Sequence, residues 1–455
     1  MKRNHLIKPT LGQHYPTISH GIGVYLYDTD GNPYIDGSSG AVTASIGHGV
    51  SEVVEAMTEQ AGKISFAYRS HFTSDAAETL AKKLSDLAPG DLNWSFFVNS
   101  GSEATETAMK IAIQHWQEKG FERKNRIISR WTSYHGITMG ALSMSGHVPR
   151  RKRFVPLLED FPTIPAPYCY RCPYNVDVAS CKLQCANELE TAIQRIGSEN
   201  VAAFIAEPII GASAGAVTPL LGYYPRIKEI CERYDILFIA DEVMTGMGRT
   251  GKMFAMEHWG VIPDIIALGK GMSAGYTPMA ATMISDRVME PILTGSKSIM
   301  AGHTYSANPL SAAISLEVLT YLERNELVLA AKEKGDYLLQ KLQMLARQFE
   351  IIGDVRGKGL LLGLEFVSNR ASKRPFEQQS GITSRLVTKA FEKGLLIYPA
   401  SGAIEGIAGD AVIVSPPLVI TKEEIGRLVE ILGASLEELQ QELYREGLMG
   451  NMQAM

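Results

Sequence analysis

Apolar residues in this chain fall into short unbroken runs, separated by stretches in which they recur with helical period. The runs lie at 94–98, 126–129, 202–206, 236–240, 265–267 and 281–284. A strand buried on both faces reads as a continuous apolar run, and such runs alternating with helices specify a mostly parallel sheet covered by helices. Val53, Val54, Met57 and Ala61 follow Ser51 at helical spacing, and a helix over 74–87 opens on Ser74 as its cap. Further helices are predicted over 309–324 and 328–349. The first fifty residues differ: 24–27, a polar turn from Asp28 to Pro33, and 34–36 form a hairpin signature. Near the other end, 359–366 and 411–414 read as strands. A helix then begins at Thr421, with Glu424 at capping-box spacing, and 449–455 reads as a frayed tail. The fold class expected is α/β: a large domain at 56–319 with a parallel sheet between helices, and a smaller α+β domain from 320–455 joined by the N-terminal segment 1–55.

Composition adds limits. Of 455 residues, 45% are hydrophobic and 20% charged, with a net charge of −5, which is ordinary for a globular protein and gives no electrostatic case for nucleic-acid binding. The one dense basic run, Arg150-Arg151-Lys152-Arg153, reads as a solvated face or an anion-contacting loop. The apolar stretch 201–221 is interrupted by Glu207, Pro208 and Pro219, which favours a strand and a loop over a membrane span. No signal-peptide pattern follows Met1, and a cytoplasmic location is expected. Cys169, Cys172, Cys181 and Cys185 are spaced compatibly with a tetrahedral metal site. The favoured reading is reduced thiols in a long loop, with no metal assigned.

Two charges stand out because they interrupt apolar runs. Asp241 ends the run 236–240, and Lys270 follows 265–268 between Gly269 and Gly271. An unpaired buried ion costs on the order of several kcal/mol, so each needs a partner. A ligand with a basic ring nitrogen and an aldehyde partners both, and pyridoxal phosphate is such a ligand. Glu207 and Asn99 also fall just beyond strand candidates, where parallel sheets place functional groups. Asn99-Ser100-Gly101-Ser102-Glu103 reads as a strand, a tight turn and a helix start, a geometry that receives phosphate on free amides. Tyr134, at a strand-to-loop junction, is placed to stack on a planar ring.

Taken in order, these motifs make the chain resemble the class III pyridoxal-phosphate-dependent aminotransferases, which have fold type I. The resemblance runs from Gly23 to Leu418. It rests on Asn99-Ser100-Gly101-Ser102-Glu103-Ala104, Tyr134-His135-Gly136, Ala206-Glu207-Pro208, Asp241-Glu242-Val243, Gly248-Arg249-Thr250-Gly251, Leu268-Gly269-Lys270-Gly271 and His303-Thr304-Tyr305-Ser306-Ala307-Asn308-Pro309. It implies Lys270 as the Schiff-base lysine and proton carrier, and Asp241 as the partner of the ring nitrogen. It places Tyr134 and Val243 on the two ring faces, Ser100, Gly101 and Ser102 at the phosphate, and His135 and Glu207 beside the cofactor. It implies that Thr304 reaches the phosphate of a neighbouring subunit, so that the site is completed in a homodimer. The implied reaction carries an amino group from an ω-amino acid or primary amine to a 2-oxo acid such as pyruvate or 2-oxoglutarate, in ping-pong order.

The chain departs from the family at its substrate positions. Tyr398 stands where many relatives carry an arginine for the substrate carboxylate, and the loop over 401–409 looks longer. The replacement cation is then Arg69, which follows Tyr68, or one of Arg150, Arg151 and Arg153. Val42 stands where several relatives place a tryptophan, which implies a roomier pocket. Aminomutases, epimerases and dialkylglycine decarboxylases share the implied cofactor residues and remain alternatives. A non-catalytic protein retaining the fold is a further one, against which Lys270 and Asp241 together argue.

Overall fold

The structure, a computed structural model, describes residues 5–404 and 406–449. Its strands in chain order are β1 (Ile18–Ile22), β2 (Tyr25–Asp28), β3 (Pro33–Asp36), β4 (Trp94–Val98), β5 (Arg126–Arg130), β6 (Thr163–Ile164), β7 (Val201–Ala206), β8 (Leu237–Asp241), β9 (Ile265–Leu268), β10 (Ala280–Ile284), β11 (Ile352–Lys358), β12 (Leu361–Phe366), β13 (Leu395–Leu396), β14 (Tyr398–Ile404) and β15 (Ala408–Val414).

The central sheet has the order β4-β10-β9-β8-β7-β5-β6. Its pairs are parallel except where β10 meets β4 and β9. The uniform apolar runs explain this arrangement, since every residue of β7, β8 and β9 is buried. Successive side chains point to opposite faces. Ala203, Ile205, Leu237 and Ile239 accordingly share a core with Ala108, Ile111 and Trp116 of helix Gly101–Glu118 and with Val288 and Ile292 of helix Asp286–Thr294. Phe204, Ala206, Phe238 and Ala240 pack instead with Leu189 and Ile193 of helix Gln184–Ile196 and Ile227 and Ile230 of helix Tyr223–Arg233. The fold is the expected α/β layering, a mostly parallel sheet between helices with smaller sheets beside it. One edge of the sheet carries the C-terminal ends of β5, β7, β8 and β9, and β4 runs in the same direction.

The predicted hairpin is β2 and β3, extended by β1 on one side and by β13 on the other. β13 lies parallel to β3, with Leu395 opposite Ile35. Asp28 holds the turn by accepting the amides of Asp30 and Asn32 at 3.0 and 2.9 Å. An antiparallel sheet of order β11-β12-β15-β14 completes the strands. The final helix, Lys422–Arg445, begins with the predicted box: the Glu424 amide donates to the Thr421 hydroxyl, and the Thr421 amide donates back to the Glu424 carboxylate.

Five strands, β1, β6, β11, β13 and β14, lie where none is predicted. β11 carries Asp354, Gly357 and Arg356 in place of an apolar alternation, because its inner face is an ion-pair cluster. Arg356 Nη1 donates to Glu365 of β12 at 2.6 Å and to Asp354 at 2.8 Å. Tyr168 and Arg171 donate to the same Glu365 carboxylate. Burial opposes ionisation of that carboxyl, but the Arg356 guanidinium holds it below the usual glutamate value. β14 begins at Tyr398 and fills part of the supposed long loop, leaving a short connection to β15. Of the predicted frayed tail, residues 450–455 lie outside the described residues, and Met449 is buried. Among the described residues no helix is long and apolar enough to cross a membrane.

Candidate active site

The strand ends converge on a cavity of about 190 Å³ lined by Gly101, Ser102, Tyr134, His135, Gly136, Glu207, Ala212, Asp241, Val243, Met244, Thr245 and Lys270. Asp241 closes β8 and is buried. Its Oδ2 lies 2.7 Å from His135 Nδ1, and its Oδ1 accepts the Val243 amide at 3.1 Å. An ionised carboxylate only accepts, so Nδ1 carries the proton of this pair. That leaves His135 Nε2 buried without a hydrogen-bond partner among the described residues. Glu207, one residue past β7, is held at both oxygens by the amides of Tyr134 and Gly211, each at 2.9 Å. Burial raises the Glu207 carboxyl most, while His135 opposes that effect and Asp241 adds to it.

Lys270 follows β9 at the start of a single tight turn, Lys270–Met272, with φ at 42°. Holding a residue with a side chain there costs on the order of 1–3 kcal/mol, and Gly269 and Gly271 leave room for the bend. Burial lowers the amine to about 8, against the opposing attraction of Asp241 and Glu207. An ordinary lysine has a pKa of about 10.4, so at pH 7 roughly a tenth of Lys270 is neutral, where an ordinary lysine has well under a thousandth. Only the neutral amine attacks a carbonyl. Capture of pyridoxal phosphate by the cofactor-free chain is therefore expected to quicken with rising pH and level off above about 8. Stopped-flow absorbance against pH measures this. A rate still climbing at pH 10 would show that burial does not lower the amine.

The phosphate cradle is formed at the start of helix Gly101–Glu118. Ser100 caps this helix by accepting the Glu103 amide at 3.3 Å, and the Ala104 amide makes the first intrahelical bond, to Ser100 O. The amides of Gly101 and Ser102 precede that bond, at the positive end of the helix dipole. A Cβ on Gly101 would sit 2.7 Å from Val243 Cγ1, and one on Gly136 would sit 2.5 Å from Ser102 Oγ. Neither place has room for a side chain, so the helix start packs closely against Val243 and the turn after His135 packs against Ser102. The orphaned His135 nitrogen, the glycine-lined helix start and the lowered lysine amine together fit pyridoxal phosphate.

The structure therefore gathers Gly101, Ser102, Tyr134, His135, Glu207, Asp241, Val243 and Lys270 around one cavity. Ser100 caps the helix and does not line it. Thr304 lies on an exposed turn outside the cavity of this chain. Val42 is buried in the core at φ 60° and forms no part of the cavity wall. Tyr68 and Arg69 sit on an exposed segment away from the lining, whereas Tyr398 is half-buried and close enough to Tyr134 to affect its hydroxyl. Three lining residues escape the sequence reading. Met244 and Thr245 directly follow Asp241-Glu242-Val243, and their adjacency to a strand end was the available signal. Ala212 comes from a loop without any pattern. Glu242, between Asp241 and Val243, does not line the cavity. It is fully buried, accepts from Thr245 Oγ1 and from the amides of Ala255 and Met256, and is pushed up to about 7 by burial.

The four cysteines are half-buried free thiols that line a separate small cavity of about 20 Å³. Cys185 belongs to the first turn of helix Gln184–Ile196 and not to a loop, and burial with its neighbouring thiols pushes it up to about 12. Among the described residues no three His, Cys, Asp or Glu side chains are disposed to hold a metal ion.

Comparison with known proteins places this geometry in a family. Residues 9–436 match the family model for aminotransferase class-III. The uncharacterized aminotransferase YodT of Bacillus subtilis (strain 168) is 52% identical over 443 residues, covering 97% of this chain and all of that one. A putrescine–pyruvate aminotransferase of Pseudomonas aeruginosa is 35% identical, with 92% and 90% of the two chains covered. The crystal structure of an amine transaminase from an uncultivated Pseudomonas species, in its pyridoxal-phosphate-bound form, superposes with a TM-score of 0.89 at 33% identity, covering 96% of this chain and 99% of that one. The chain belongs to the class III aminotransferases, enzymes that depend on pyridoxal phosphate.

Proposed function

We propose that the enzyme carries an amino group from an ω-amino acid or a primary amine to a 2-oxo acid such as pyruvate or 2-oxoglutarate. The observation that carries this reading is the Lys270 amine, lowered to about 8 and sharing one cavity with the Asp241 and Glu207 carboxylates. The name of the putrescine–pyruvate relative supports a primary amine as donor and pyruvate as acceptor.

Pyridoxal phosphate, when bound, supplies an aldehyde for amines and a protonated ring that accepts electrons. The residues divide the remaining work. The Gly101 and Ser102 amides would hold the cofactor phosphate, Asp241 would pair with its protonated ring nitrogen, and Tyr134 and Val243 would flank the ring. Glu207 and His135 fix these groups from the side. Lys270 would hold the aldehyde carbon and, as a neutral amine, would carry the proton lost from the substrate carbon. The donor leaves as a ketone or aldehyde before the acceptor enters, which is a ping-pong order.

A second copy of the chain completes the site in this reading, with Thr304 as its contribution to the neighbouring phosphate. Phe66, Tyr68, Phe72, Met300 and Tyr305 are exposed on the segments beside Thr304 and Arg69, and such apolar surface supports burial in a homodimer. We read 56–319 as the large domain that carries the site, and 1–55 with 320–455 as the flanking small domain.

A single turnover tests the reaction type. Holoenzyme mixed with a donor and no acceptor is expected to release one equivalent of oxo product and keep the nitrogen. Retention of all nitrogen on one carbon skeleton, as in an aminomutase or epimerase, would refute it.

A further inference from the structure

A 2-oxo acid brings a carboxylate into the cavity, and a carboxylate leaving water needs a cation with matching hydrogen bonds. Tyr398 supplies none. The structure separates the four candidate arginines by what already occupies them. Arg151 Nη1 donates to the carbonyls of Leu142, Ser143 and Ser145 at 2.8–2.9 Å and so ties down the end of helix Met139–Met144. Arg69 donates to the Ala301 carbonyl at 2.5 Å and lies 5.1 Å from the centre of the Phe96 ring, with no cavity-lining residue among these partners. Arg153 is exposed.

Arg150 is placed differently. Its guanidinium carbon lies 4.4 Å from the centre of the Tyr134 ring, and Tyr134 walls the cavity that holds Lys270. Its charge reaches the Lys270 amine and His147, lowering both, and His147 is brought to about 4 mainly by burial. Packing over the ring takes up the face of the guanidinium and sets one donor beside the Tyr134 hydroxyl, which leaves the other N–H donors of its fork for a ligand. The short helix Val148–Arg151 that bears Arg150 is backed by the end of β14 and by Gly406 after it. A Cβ on Gly406 would lie 2.2 Å from Val148 Cγ2, and one on Gly402 would lie 3.0 Å from Pro149 Cγ. The segment that follows the missing arginine thus closely supports the helix carrying another.

We infer that Arg150 binds the substrate carboxylate, presenting its N–H edge beside Tyr134 so that the 2-oxo acid's carbonyl carbon faces Lys270. The inference rests on the transaminase reading and adds the selected class: acceptors, and amino-acid donors, with a carboxylate adjacent to the reacting carbon.

The test uses holoenzyme converted to its aminated form with n-butylamine and then returned with either pyruvate or butanal, read by cofactor absorbance. A lost charge-assisted bidentate contact is worth about 10- to 100-fold. Arg150→Met is expected to lower the ratio of kcat/KM for pyruvate to that for butanal by this factor, chiefly through KM. Arg150→Lys, which keeps the charge and loses the fork, is expected to recover part of the ratio and guards against a misfolded first variant. Arg153→Met is expected to leave the ratio alone. An unchanged ratio in both Arg150 variants overturns the assignment. So does an equal loss for both acceptors, which would make Arg150 a support for Tyr134. Wild-type enzyme that converts neither acceptor overturns the transaminase reading as well, and does so before any variant is made.

Discussion

Lys270→Ala is expected to lower transamination by about a thousandfold or more while leaving the protein folded. Two contributions are lost at once: the covalent anchor and the group that moves the substrate proton, the latter alone worth roughly 10²–10⁴-fold. The side chain ends in a cavity, so truncation leaves no apolar core unfilled. It also removes a buried amine that its surroundings push toward neutrality. Steady-state turnover of a good donor with pyruvate measures the loss, and the thermal midpoint checks the fold. Added small amines such as ethylamine are expected to restore part of the rate by entering the vacated space and carrying the proton. Near-wild-type turnover by Lys270→Ala would remove Lys270 from the reaction.

The second large effect is expected from Asp241→Asn, which keeps shape and removes charge. A neutral amide no longer holds a proton on the ring nitrogen, and loss of one preorganised electrostatic partner costs about 10²–10³-fold in kcat. Asparagine is preferred to alanine here because its one carbonyl oxygen can still accept the Val243 amide, while its NH2 can donate to His135 Nδ1 once the imidazole takes its other tautomer. Alanine would strand those buried groups at about 1–3 kcal/mol each. The substitution also has a signed effect on Lys270. Asp241 opposes the burial that lowers the amine, so its neutralisation is expected to take the amine below about 8 and to move the cofactor-capture plateau to lower pH. An undiminished kcat with an unmoved plateau would contradict both roles.

Asp241 and Lys270 were legible from sequence because a charge at the end of an apolar run is costly unless something pairs with it. The central sheet was legible for a related reason: strands buried on both faces have no polar alternation to obscure them. The turn at Gly101 was visible as a strand running into Ser-Gly-Ser and then into a helix. What stayed hidden is set by contacts between distant segments. β11 is held by Arg356 and Glu365, and no periodicity announces an ion pair. Ala212 reaches the cavity only because the chain after Glu207 folds back. Val42 is buried at a positive φ, a backbone placement that its residue type does not announce. Arg150 and Arg151 are neighbours in a basic run, and only the fold shows that one is bound to carbonyls and the other lies over a ring.

The pairing of β13 with β3 imposes an order of events during synthesis. Ile35 meets Leu395, 360 positions later in the chain. At about 5–20 residues per second, the partner strand leaves the ribosome roughly 20–70 seconds after β3 has emerged. Throughout that interval the hairpin has an open edge, the kind of surface on which strands of other chains add. Pro33, which has no amide hydrogen to offer, and Asp36, which is charged, stand at the two ends of β3 and make that waiting edge a poor template for such addition.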